Sequence, residues 1–182
     1  MKLTKKLLAM ALAGVMLLTI LTGCSGGKTG DRLVEEYMDT FLSETFETHG
    51  FGDIPITHDV PEIKTVAEMF KTSWLNEDGE WTISKTDSSP DDERLALKKV
   101  FINYENGYDV NLYVCEVDSK QSELNQIMRV MSTMVDGLPV YRFTTTPPTY
   151  TPISAAKCAT RLVTRGDKSY RIAVIIHDYT AG

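Results

Sequence analysis

Lys157 to Asp178 reads KCATRLVTRGDKSYRIAVIIHD, and the fold class turns on this stretch. Two runs rich in β-branched and apolar residues, 157–165 and 169–178, flank Gly166-Asp167. Gly and Asp tolerate the backbone angles of a tight turn, so the pattern predicts an antiparallel hairpin. Tyr170, Ile172, Val174 and Ile176 fall at period two and line one face of the second strand.

Working outward, Tyr108 to Val117 (YDVNLYVCEV) reads as another strand. Asn106-Gly107 just before it predicts a type I′ turn to a partner strand over about Leu97 to Glu105. That register sets Phe101 opposite Leu112, Asn103 opposite Val110 and Val100 opposite Tyr113. Apolar residues on both faces predict strands covered on both sides. Further strands are expected over Glu80 to Lys85 and Leu138 to Thr144. Thr145 to Ser154 (TTPPTYTPIS) carries too much proline for a central strand and is expected as an exposed loop or irregular edge.

Helical spacing marks three segments. The first carries Leu33, Val34, Tyr37, Met38, Phe41, Leu42 and Phe46, from an Asp31 cap to a Gly50 stop. The second carries Ile63, Val66, Ala67, Phe70 and Trp74 after Pro61-Glu62. The third carries Leu124, Ile127, Met128, Met131 and Met134 after a cap at Asp118 or Ser119 and ends at Gly137. Ser89-Pro90-Asp91-Asp92-Glu93 predicts one or two further helical turns. Together these specify an α+β domain: a mainly antiparallel sheet with two to three packed helices. From residue 60 onward the order reads helix-strand-strand-strand twice, without residue-level likeness between the halves.

The N-terminus carries an address. Lys2, Lys5 and Lys6 precede an apolar run from Leu7 to Leu21, too short to span a bilayer comfortably. Leu21-Thr22-Gly23-Cys24 then resembles the lipobox of bacterial lipoproteins, whose cysteine is diacylated and becomes the new N-terminus. The resemblance implies a signal peptide over residues 1–23, lipidation of Cys24, a flexible tether over 24–30 and one domain over 31–182. It implies a domain outside the cytoplasm, held to the cell membrane or the outer membrane by lipid. Removing the signal takes three lysines and no acid, moving the formal charge from −6 to −9. An acidic domain without a basic stripe makes a poor nucleic-acid ligand. The expected partners are the membrane, through the lipid, and a protein or small-molecule ligand the sequence does not identify.

The chemistry-bearing residues assemble no familiar catalytic pattern. No GxSxG elbow follows an expected strand, since Gly23-Cys24-Ser25-Gly26-Gly27 is the cleavage and tether site, and no phosphate-binding glycine loop precedes a helix. Cys115 and Cys158 fall in expected strands, where they read either as a disulfide or as two buried thiols. A Cys115/His177 dyad needs the sheet to bring the two together. His49 and His58, with Glu47, Asp53 and Asp59 near them in sequence, match no metal-ligand spacing, so no metal and no cofactor is expected. Asp87, Asp91, Asp92 and Glu93 lack the alternation of a calcium loop and suit a helix N-terminus instead. Arg165-Gly166-Asp167 matches the tripeptide that adhesins present to integrins, although the hairpin alone explains Gly-Asp. The leading expectation is a non-enzymatic binding or interaction domain. An envelope hydrolase with residues drawn from separate strands, marked by His177 near a carboxylate in a pocket, and an adhesin are the alternatives.

Overall fold

The computed structural model describes residues 30–141 and 153–178. The signal segment, Cys24, the tether before Gly30 and most of the Pro-rich stretch lie outside the described residues. Nine elements run in the order α1 (Gly30–Thr48), β1 (Ile56–Thr57), α2 (Glu62–Met69), α3 (Asp92–Val100), β2 (Tyr108–Val117), α4 (Glu123–Thr133), β3 (Leu138–Tyr141), β4 (Ala156–Arg165) and β5 (Lys168–Asp178). Short 3-10 turns at Thr72–Trp74, Ile102–Tyr104 and Met134–Asp136 complete the described regular structure.

The strands form one sheet in the order β1-β4-β5-β2-β3. Only β1 runs parallel to its neighbour; the other pairings are antiparallel. The β4–β5 hairpin forms as the sequence indicates, with Arg165 opposite Lys168 and Gly166 at φ +64°. β5 is central, and eight consecutive residues, Ser169 to Ile176, are buried. That run reflects helices on both faces, an exception to the one-sided habit of antiparallel sheets. On one face Val110, Leu112, Val114, Ile172, Val174 and Ile176 pack against Phe70, Trp74, Leu97 and Phe101. On the other Tyr113, Cys115, Cys158, Ala173 and Ile175 pack against Val34, Met38, Ile127 and Val130. The architecture is α+β in three layers, with four helices among the described residues.

Two expectations are corrected and one open alternative is closed. Leu97 to Glu105 is not a strand: α3 runs to Val100 and a 3-10 turn follows. Leu97, Phe101 and Tyr104 sit at i, i+4 and i+7, and all three are buried on one side. Asn106-Gly107 therefore turns the chain from that 3-10 segment into β2, whose true neighbours are β3 and β5. Glu80 to Lys85 makes only an isolated Leu75–Trp81 bridge across the Asn76 turn, and beyond it the Ser84 amide and carbonyl are taken by the Asp91 and Arg94 side chains. With both strands gone, the repeated helix-strand-strand-strand order dissolves. Finally, Cys115 and Cys158 are separate buried thiols. They stand on opposite sides of β5, facing Arg171 and Ile175, two strand spacings apart and offset by four residues. A disulfide needs Cα atoms within about 7 Å, and this offset alone runs to about 13 Å.

Buried arginines tie the layers together. Arg94 on α3 donates to the Pro139 and Val140 carbonyls of β3 at 2.8 and 3.3 Å, to Ser84 O at 3.1 Å and to Asp87 at 2.8 Å. Arg171 on β5 donates to Asp31 of α1 and, at 2.6 Å, to Gln126 of α4.

Candidate functional site

The richest cluster of polar chemistry lies where α1 crosses the β4 edge. Asp31, Glu35 and Asp39 recur every four residues, so they share one helix face. β1 pairs with β4 only at Ala156 and Lys157, which leaves the edge open beyond them. The acids cover it: Glu35 accepts from the Thr160 amide at 3.1 Å, and Asp31 accepts from the Leu162 amide at 3.1 Å.

Asp39, one turn further along, meets side chains instead. The parallel register of Thr57 with Lys157 delivers the next residue, His58, alongside Cys158. His58 Nε2 lies 3.0 Å from Asp39 Oδ2, and Nδ1 lies 3.1 Å from the Cys158 carbonyl. The Cys158 thiol donates to Asp39 Oδ1 at 3.5 Å and sits 3.6 Å from His58 Nδ1. Glu35 Oε2 stands 3.8 Å from the same nitrogen. One donor atom each from Asp39, His58 and Cys158 can be chosen so that all lie within 4.8 Å of one another.

Electrostatics oppose a nucleophilic thiolate here. Burial pushes the Cys158 thiol far above its ordinary value, and Asp39 and Glu35 push it further. Burial likewise raises the Glu35 carboxyl, against the hydrogen bond from Thr160 and the attraction of His58 and Arg32. Cys158 is fully buried, so a Cys-His-Asp composition does not here make a catalytic triad. The same cluster is well furnished to accept positive charge.

The residues singled out in sequence take other roles. His49 Nδ1 turns back onto the Thr45 carbonyl at 2.7 Å, while His58 looks to β4. Cys115 and His177 are not brought together: Cys115 faces Arg171, six residues from His177 along β5, or about 20 Å. Burial lifts the Cys115 thiol to about 12, only partly offset by Arg129 and Arg171. His177 does approach a carboxylate, with Nε2 3.8 Å from Asp109 across the β2–β5 pair. Asp91 caps α3, accepting from the Arg94 and Ser84 amides, and Asp87 holds Arg94 and Lys98. Arg165 donates to the Ala67, Phe70 and Thr164 carbonyls, which ties the guanidinium to the end of α2 rather than leaving it extended from the hairpin tip. Trp74 and Tyr170 pack edge-on or tilted against Phe70 in the core.

A separate open cleft of about 1350 Å³ lies at the end of the sheet that carries the β4–β5 tip. Its walls mix charges of both signs, among them Glu116, Asp118, Lys120, Arg129 and Lys168.

Sequence reasoning reached His58 but paired it with the wrong neighbours. The four-residue recurrence of acids on α1 was visible, yet nothing in it names Cys158, more than a hundred residues away. No protein-family model, curated protein or solved structure matches this chain.

Proposed function

We propose that this chain is a lipid-anchored extracytoplasmic binding domain that meets a polar partner close to the membrane. The observation that carries the reading is Cys24 itself: it ends a lipobox-like Leu21-Thr22-Gly23-Cys24 and lies six residues before the first residue of α1. Six residues of tether span at most about 20 Å, so the lipid keeps the domain against the bilayer surface. Asp31 bonds to Leu162 and Arg171, each four residues from the turn at Gly166-Asp167. The tether thus leaves from the end of the sheet that holds the open, mixed-charge cleft, and a partner in that cleft is held near the membrane.

A hydrolase reading fares less well. Its histidine-carboxylate pair, His177 with Asp109, lies outside that cleft, five residues along β2 from Val114 of its lining, about 17 Å. The test is detergent phase partition of the full chain produced in a bacterium, with mass analysis of its N-terminal peptide. The reading expects a diacylated Cys24 peptide and detergent partition, both lost in Cys24→Ser. An unmodified N-terminus in the aqueous phase would reject the anchor.

A further inference from the structure

Edge sealing accounts for Asp31 and Glu35 but not for what surrounds Asp39. A helix that only covers open amides needs acceptors. Here a thiol, an imidazole and a carboxylate converge from three separate segments, α1, the residue after β1, and β4. We propose that Cys158, His58 and Asp39 form a binding site for a single divalent d-block cation, zinc being the first candidate, with Glu35 beside it.

The donor chemistry selects the cation class. Thiolate with imidazole favours zinc or its borderline neighbours over magnesium or calcium, which take oxygen shells. Zinc holds sulfur at about 2.3 Å and nitrogen or oxygen at about 2.0–2.2 Å, so tetrahedral ligand atoms stand roughly 3.3–3.7 Å apart. With one donor atom from each residue, Cys158 Sγ stands 3.6 Å from His58 Nδ1 and 3.5 Å from Asp39 Oδ1, both within that edge length, while the 3.0 Å contact joins the other ring nitrogen, Nε2, to the other carboxylate oxygen, Oδ2. Glu35 Oε2, 3.8 Å from the same His58 Nδ1, is the neighbouring oxygen available to a fourth position or to a metal-bound water. Charge also balances: a thiolate and the Asp39 carboxylate neutralise a dication, while Arg32 approaches Glu35 to 3.7 Å. The way in is from the solvent side, since Asp39 and His58 are part-exposed and Cys158 lies beneath them.

Binding exchanges protons for metal. The Cys158 S–H bond breaks, its electron pair forms the metal–sulfur bond and the proton leaves to solvent. His58 contributes a nitrogen lone pair, giving up any proton on that atom to solvent. Affinity therefore rises with pH.

The test is titration of the full chain with cobalt(II) alone, then displacement with zinc(II). The proposal expects one cobalt per chain, a near-ultraviolet thiolate-to-cobalt charge-transfer band and visible bands of tetrahedral intensity, all bleached by one equivalent of zinc. Cys24→Ser and Cys115→Ser keep the band; Cys158→Ser loses it. Because Cys158 is buried and its variant can fail to fold, Asp39→Asn and His58→Gln serve as the second arm. Each weakens zinc at least tenfold with the circular dichroism unchanged. No charge-transfer band in the folded protein at excess cobalt overturns the site, as does a band that survives Cys158→Ser. Zinc affinity unchanged in both Asp39→Asn and His58→Gln also overturns it.

Discussion

Replacing Arg94 with Met should cost far more than breaking its ion pair. Asp87, its charged partner, is 58% exposed, so water can solvate the carboxylate once the arginine is gone. The carbonyls of Pro139 and Val140 are in a different position. They belong to edge strand β3, and Val140 is 1% exposed. Each buried acceptor left without a donor costs about 1–3 kcal/mol, and removal of one partner from a buried charged network typically costs about 3–5 kcal/mol. Arg94→Met should therefore destabilise by about 3–5 kcal/mol, roughly 10 °C in Tm for a domain of this size. Asp87→Asn should cost no more than about 1 kcal/mol. Arg94→Lys should fall between them, because an ammonium keeps the charge but cannot fork to two carbonyls. Urea unfolding measures all three, with an unchanged m-value confirming that the denatured state is comparable. Equal losses for Arg94→Met and Asp87→Asn would refute the reasoning, placing the energy in the ion pair rather than in the β3 carbonyls.

Asp87 carries a pH signature as well. Hydrogen bonds from Lys98 and Arg94 hold its carboxyl below the usual range. A depressed folded value contributes stability that is full above the unfolded pKa of about 4 and is lost as pH falls through the folded one. Asp87→Asn should flatten the stability profile below about pH 4 and leave the neutral region's slope unchanged, as urea midpoints across that range will show. Gly137 has φ −56°, so no backbone strain forbids alanine, but a Cβ there would lie 2.2 Å from a Tyr113 ring carbon. Gly137→Ala should lower stability by about 1–3 kcal/mol, and Tyr113→Leu in the same chain should recover part of it. Burial and raised pKa predict that neither Cys115 nor Cys158 reacts with a thiol reagent at neutral pH until the chain unfolds. Prompt labelling of either in the folded protein contradicts the packing described.

The central hairpin was legible because its turn chemistry, its strand composition and its period-two face agree with one another. β2 was legible for the same reason, though its partners were not. Asn106-Gly107 suits a hairpin turn, yet the same positive-φ glycine serves equally to end a 3-10 segment. The deciding signal, Leu97, Phe101 and Tyr104 at helical spacing, competed with β-branched neighbours and with a strong local turn. Local propensity could not arbitrate, because α3 owes its place to Arg94 reaching β3 across forty-five residues. The candidate site was illegible for a related reason. Its donors come from α1, the end of β1 and β4, and they meet only through a two-residue parallel pairing whose register no local pattern encodes.

That pairing also separates two roles on α1. β1 stops after two residues, and Glu35 then accepts the Thr160 amide that a longer strand would have taken. Glu35→Ala leaves this buried amide without a partner and should cost about 1–3 kcal/mol, whereas Glu35→Gln keeps an acceptor oxygen and should cost less. Among the described residues no backbone amide donates to Asp39; the His58 ring and the Cys158 thiol meet it instead. Asp39→Asn should therefore leave urea stability within about 0.5 kcal/mol of the parent in metal-free buffer, the range of part-exposed positions that break no buried backbone bond. With zinc present the order should change, since a bound cation stabilises the parent in proportion to its occupancy and the variant much less. A face built only to seal a sheet edge gives the same ranking with and without zinc. A face that seals the edge at Glu35 and holds a cation at Asp39 gives two rankings, and the second appears only when the metal is added.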